Sequence, residues 1–200
     1  GPESPDTPAR IRDTLGDVRY LYIVRSPVDR IVSHYRHALF NRWLPDGTTI
    51  ESALEEIPGL MDCSRYASQL ERFDAAASRD RWHVVVLEDL IADHRAEFRT
   101  VCEFLGIDPS EDVGLAQANV ADQKRRPPAM LSGLRGLRRA LPRPLADLGR
   151  RLLGGFGKAV ARPELDTAVR GFLLEELRPE VDRLSKFVGK DLAAVWHLEA

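Results

Sequence analysis

Two continuous apolar runs, Val18–Val24 and Trp82–Leu87, break a chain that is otherwise mostly in helical register. Each is short and rich in β-branched and aromatic residues, the pattern of a strand buried on both faces. After the first run, Ser26 can cap a helix, Pro27 suits its first position, and Asp29 favours its positive end. Val28, Ile31, Val32, Tyr35 and Leu39 then share one helical face. Pro45-Asp46-Gly47 reads as a turn, followed by a short helix over Thr49–Ile57. Tyr66, Leu70 and Phe73 predict a helix from about Cys63 to Ala77. Phe98, Val101, Cys102 and Leu105 predict another from about Arg95 to Leu105, with Gly106 placed to stop it. Residues 1–12 read as a loop leading into a short helix. Two helices are expected between Leu165 and Trp196, one marked by Leu165, Val169, Phe172 and Leu173, the other by Val181, Leu184, Phe187 and Val188.

The order strand, helix, helix, strand, helix argues for an α/β fold with a parallel sheet flanked by helices and a helix-rich C-terminal half. Two strands are too few for such a sheet. Further strands are therefore expected upstream of residue 1 or hidden in the chain.

Residues 124–162 change character. Lys124, Arg125, Arg126, Arg135, Arg138, Arg139, Arg143, Arg150, Arg151, Lys158 and Arg162 face a single acid, Asp147. Leucines run along one side, and Pro142 and Pro144 divide the segment into two short amphipathic helices. Three readings fit: a solvated basic face over a leucine core, a lid or insertion closing on an anion, or an element lying on a membrane surface or nucleic acid. Nucleic acid would call for stacking aromatics, and the segment holds only Phe156.

The 200 residues suffice for one domain with a core, and 44% hydrophobic with 30% charged residues is ordinary for a globular protein. Because 29 Lys+Arg nearly balance 31 Asp+Glu, overall charge gives no argument for a nucleic-acid partner. Cys63 and Cys102 make neither a disulfide framework nor a metal set, which favours a reducing compartment and no metal. No apolar run approaches the ~20 residues of a membrane span. Gly1-Pro2 in place of an initiating Met reads as a cleavage scar or the start of a fragment.

The chemistry gathers at the end of the first strand. Ligands of open α/β sheets bind beyond the carboxyl ends of the strands, and Arg25 sits at such an end. Ser26, Arg30, Ser33 and His37 share a helix face opposite the apolar one. Arg25, the first helical N–H groups and the Ser33 hydroxyl could converge on a phosphate. Equally, Arg25 could pair with a carboxylate such as Glu88, leaving Ser33 a solvated helix serine. His34 and His37 fit either a ligand contact or an exposed or capping position, and His83 and His94 fit the surface or a strand edge.

Arg25-Ser-Pro-Val-Asp-Arg-Ile-Val-Ser-His-Tyr35 resembles the 3′-phosphate-binding signature of sulfotransferases, Arg-x-Pro-x-x-Arg-x-x-Ser-x-Tyr, at every fixed position. Arg65-Tyr-Ala-Ser-Gln-Leu-Glu-Arg-Phe73 resembles that family's Tyr-x-x-x-Leu-x-x-Trp/Phe helix. Val84-Val-Val-Leu-Glu-Asp-Leu90 resembles its strand ending in Glu-Asp-Leu, Cys102-Glu-Phe-Leu-Gly-Ile107 its following helix end, and Asp191-Leu with Trp196 its C-terminal finish. These stretches occur in the family's order over residues 8–197.

The resemblance implies a P-loop-like three-layer fold: a central parallel sheet flanked by helices. It also implies one sulfotransferase-like domain over residues 1–200, N-terminally incomplete. The implied activity is transfer of a sulfuryl group from 3′-phosphoadenosine-5′-phosphosulfate (PAPS) to a hydroxyl or amine, leaving adenosine 3′,5′-bisphosphate (PAP). Arg25 and Ser33 would bind the donor's 3′-phosphate, and Lys124, Arg125 and Arg126 fall at a late basic loop that closes over the nucleotide. Tyr66 and His37 would face the nucleotide or the acceptor; Tyr66 equally suits a core position. Glu88 and Asp89 read as structural, a carboxylate at a strand end tying a helix terminus. The family's 5′-phosphosulfate loop and catalytic base are expected upstream, since Glu3 is a poor candidate for that base. Gly154-Gly-Phe-Gly-Lys158 lacks the first glycine, the following Ser/Thr and a preceding strand of a P-loop. No metal is implied. The acceptor is a small molecule, glycan or lipid, the location cytoplasmic, and a homo-oligomer is compatible. The alternative is a non-catalytic module that binds an anion or membrane through residues 124–162.

Overall fold

A computed structural model of the chain describes residues 6–74, 77–109, 125–126, 158–159 and 163–198. The chain divides into two compact units. One comprises Gly1–Ile31, Glu51–Leu115 and Leu165–Ala200; the other comprises Val32–Ile50 and Ala116–Glu164.

The first unit is a helix-rich α/β body around a small parallel sheet. β1 (Tyr20–Val24) and β2 (Trp82–Val86) run parallel, with Tyr20 opposite Trp82 and Val24 opposite Val86. α1 (Thr7–Leu15) precedes β1, and α2 (Pro27–Asn41) follows it after a two-residue loop. Alternate β1 side chains build an aromatic face. Tyr20 stacks on Trp82 at 4.4 Å, and Phe73 meets both rings edge-on at 5.9 and 5.5 Å. That face lays α5 (Tyr66–Asp74) against the sheet. On the other face Leu21 and Ile23 are 44% and 60% exposed, so β1 is buried on one side rather than on both as its unbroken apolar run predicts. His83 lies in β2, is half-buried and stacks on Phe104 of α7 (His94–Leu105) at 5.3 Å.

β2 stops one residue earlier than its apolar run because Leu87 opens α6 (Leu87–Ala92), whose first turn carries Glu88 and Asp89. Acids there oppose the positive end of the helix. Gly106 ends α7 as expected, at φ 69°, a conformation that side chains with a Cβ disfavour. Short helices α3 (Ile50–Glu56) and α4 (Gly59–Asp62) lead into α5.

The C-terminal region corrects the expectation of two comparable helices. α8 (Thr167–Val188) is one 22-residue helix that runs through Pro179, followed by the four-residue α9 (Leu192–Val195). A proline inside a helix costs about 3 kcal/mol. Here Leu173, Leu177, Val181 and Leu184 form one unbroken buried stripe, and each such side chain contributes about 1.5–3 kcal/mol. The stripe therefore outweighs the proline, which sits on the exposed side.

In the second unit, the Tyr35 hydroxyl donates to the Thr48 carbonyl at 2.7 Å, tying α2 to the turn after it. β3 (Arg125–Arg126) and β4 (Lys158–Ala159) form an antiparallel pair. The two amphipathic helices expected between them, Lys124 and the Gly154–Gly157 stretch lie outside the described residues.

Candidate functional site

The end of β1 is built to leave a cation uncommitted. Val24 is buried, so Arg25 emerges where the strand stops, followed by Ser26 and the first turn of α2. Ser26 is 6% exposed and caps the helix: its carbonyl accepts from Arg30 N at 2.9 Å and its hydroxyl from Asp29 N at 3.4 Å. Arg30 follows one turn later. The Nε of Arg25 and one Nη of Arg30 are buried without a hydrogen-bond partner. Buried donors are paired in all but a few cases, so two unpaired guanidinium N–H groups at one strand end need a physical reason. The expected alternative, Arg25 paired with Glu88, is not what the structure shows. Glu88 instead accepts from Ser26 N through Oε1 and from Trp196 Nε1 through Oε2, both at 2.9 Å. Asp89 pairs with Lys190 at 2.5 Å. Both acids thus tie strand end to helix terminus, the role their position predicts.

Tyr66, the first residue of α5, is buried beside this end, with its hydroxyl against the backbone N–H of Arg25. Burial pushes its phenol up to about 12. The nearby Glu88 adds to that rise, while the charges of Arg30 and Arg25 and the Arg25 N–H work against it. Tyr66 meets Tyr22 edge-on at 6.0 Å and Trp196 at 6.5 Å. Tyr22 donates to Gln69 Oε1 at 2.9 Å, and burial raises its phenol too.

α5 is held in turn by α8. Glu180, 5% exposed, accepts from Ser68 N at 3.0 Å and from Ser68 Oγ at 2.5 Å, and pairs with Arg183 at 2.6 Å. Arg183 reaches Glu71 at 2.9 Å, and Arg65 reaches Glu176 at 3.0 Å.

The structure thus brings together Arg25 and Tyr66 of the expected residues, with Arg30, Glu88 and Trp196 beside them. Ser33 is half-buried further along α2, in the second unit. His37 is exposed and meets the Trp43 ring at 5.0 Å, also within the second unit. Arg125 and Arg126 lie in β3. Arg30 was missing from the expected binding residues. Its signal was available as the second fixed arginine of the motif, one turn after Ser26. Among the described residues no group of three or more His, Cys, Asp or Glu is placed to hold a metal ion, and no helix is long and apolar enough to cross a membrane.

The described residues thus bring a cationic strand end, a capped helix start and a buried tyrosine together in one α/β body. The comparisons name the family. The sulfotransferase domain matches residues 10–124, more than half of the chain, and the chain belongs to that family. Its structure is similar to the crystal structure of a sulfotransferase from Alicyclobacillus acidocaldarius, with a TM-score of 0.62 at 20% identity. The match covers 96% of this chain and 63% of that one, so the chain spans less than two thirds of the length of this relative. No curated protein matches.

Proposed function

We propose that the chain carries the 3′-phosphate end of a PAPS site and serves sulfuryl transfer to a hydroxyl or amine acceptor. The observation that carries this reading is the buried, unpaired Nε of Arg25 at the carboxyl end of β1, next to the start of α2. An arginine so placed matches a phosphate, which accepts several charge-assisted hydrogen bonds at once. Arg30 adds a second guanidinium. The signature adds Ser33, and the basic run Lys124–Arg126 would close over the nucleotide. Tyr66 and His37 are assigned to the nucleotide or the acceptor. The wider fold is read as a P-loop-like three-layer fold, with a central parallel sheet flanked by helices.

In the reaction, the bond from sulfur to the 5′-phosphate oxygen breaks and a bond from sulfur to the acceptor oxygen or nitrogen forms. PAP leaves, and the acceptor proton passes to a base. Such loose, in-line transfers depend on positioning and on cations facing the developing charge. The residues assigned here hold the far end of the donor and fix its orientation. The acceptor is read as a small molecule, glycan or lipid, and the place of action as the cytoplasm, where the donor is made.

The test is release of PAP from PAPS by the full-length protein against a panel of sugar, phenol, amine and lipid acceptors. Acceptor-dependent PAP formation that is inhibited by added PAP supports the reading. A folded protein that neither turns over nor binds PAPS overturns it.

A further inference from the structure

Glu88 lies close enough to the Arg25 strand end to act on Tyr66 beside it, yet its carboxylate is not spent on Arg25. Both of its oxygens are occupied by neutral donors from two different segments. One donor is the Ser26 N–H, one residue after Arg25 and 62 positions from Glu88. The other is the indole N–H of Trp196, 108 positions away. Trp196 is 6% exposed and follows α9. That helix is itself fixed: Leu192 N donates to Ser185 Oγ at 3.1 Å, and Asp191 caps it through Ala194 N at 3.2 Å. A carboxylate with a free oxygen near a buried guanidinium would pair with it and quench the cation. With its oxygens drawn to these two donors and Arg25 Nε left without a partner, the arrangement keeps Arg25 available and anchors the loop from which it projects.

We propose that Trp196 and Glu88 form a positioning pair for the anion site, in which Trp196 holds the second carboxylate oxygen of Glu88 away from Arg25. The inference rests on the donor reading. It makes Trp196, 108 positions from Glu88, a determinant of nucleotide affinity.

Trp196→Phe keeps the ring but removes the donor, freeing one oxygen. Glu88→Gln cannot accept from both N–H groups, since one of its two terminal atoms is itself a donor. W196F should weaken PAP binding to the full-length protein by about fivefold to tenfold by freeing the charged oxygen, the scale of a hydrogen bond to a charged group. E88Q should weaken it by a similar factor, by leaving one of its two N–H partners unpaired and loosening the loop that carries Arg25. The preference for PAP over 5′-AMP should fall with it. In E88Q no charged oxygen is left to quench Arg25, so adding W196F should cost nothing further. Asp89→Asn, which breaks the Lys190 pair, should leave PAP affinity unchanged. In nucleotide-free protein, the Trp196 indole N–H resonance, assigned with W196F, should move upfield in E88Q.

Additive losses in the double variant would show two independent structural defects and overturn the pairing. So would an indole resonance that ignores E88Q, or folded single variants that bind as wild type. If wild-type protein shows no preference for PAP, the donor reading fails first and takes this inference with it. A wild-type preference that survives both variants sinks this inference alone.

Discussion

Two arginine-bearing regions of the first unit invite comparison: the α5–α8 contact and the end of β1. At the first, Arg183 and Arg65 meet Glu180, Glu71 and Glu176, and Glu180 also takes the N–H and hydroxyl of Ser68. At the second, Arg25 and Arg30 keep buried guanidinium N–H groups without partners, although Glu88 is nearby and otherwise occupied. The two regions use the same side chain for opposite ends. A guanidinium with its carboxylates in place holds helices together. One whose nearby carboxylate is engaged elsewhere keeps free N–H groups, which is what the proposed anion site requires. On that reading saturation, more than charge or burial, separates a structural arginine from a binding one.

The comparison breaks most visibly at Glu180. Removing one member of a buried charged cluster strands the others, so Glu180→Ala should lower stability by about 3 kcal/mol. Thermal unfolding would show it as a fall of roughly 6–12 °C. A loss under 1 kcal/mol would mean the cluster is not the clamp described here.

Arg25→Ala should do the reverse, leaving stability within about 1 kcal/mol of wild type while PAP affinity falls about a hundredfold. A large drop in melting temperature with nucleotide affinity retained would assign Arg25 to structure.

Tyr66 sharpens the electrostatics between the regions. Its folded value, about 12, lies above the ordinary 10.0, so folding favours the protonated phenol. The stability it contributes is therefore complete below pH 10 and lost as pH rises through about 12, by roughly 3 kcal/mol in all. Tyr66→Phe should remove that part of the alkaline loss, measured by denaturant unfolding at pH 9 and pH 11. An unchanged pH dependence would contradict the burial of this hydroxyl.

The smallest effect belongs to Arg65→Ala. Its pair with Glu176 is partly exposed, and such pairs contribute about 0–1 kcal/mol. A loss above 2 kcal/mol would place Arg65 inside the buried cluster.

Much of the β1 end was legible in the chain. The abrupt stop of an apolar run at Arg25, the Ser-Pro cap and the acids ending the second strand are local patterns, and each marks a feature the structure contains. The partner of Glu88 was not legible. Pairing with Trp196 across 108 positions leaves no periodic trace. The Glu180–Ser68 clamp, 112 positions apart, was hidden for the same reason. Between Leu165 and Trp196 the sequence shows two apolar clusters, Leu165, Val169, Phe172 and Leu173, then Val181, Leu184, Phe187 and Val188. Only the fold shows that Leu177 joins them into one stripe. The half-open face of β1 was concealed too, since an unbroken apolar run does not say what covers it.

The most direct measurement is calorimetric binding of PAP to the full-length protein, with 5′-AMP beside it and Arg25→Ala as control. The account predicts micromolar binding of PAP, on the order of 8 kcal/mol of binding free energy, weak binding of 5′-AMP, and loss of the difference between them in the variant. Equal binding of the two nucleotides by folded protein, or a preference for PAP that survives in Arg25→Ala, would contradict it.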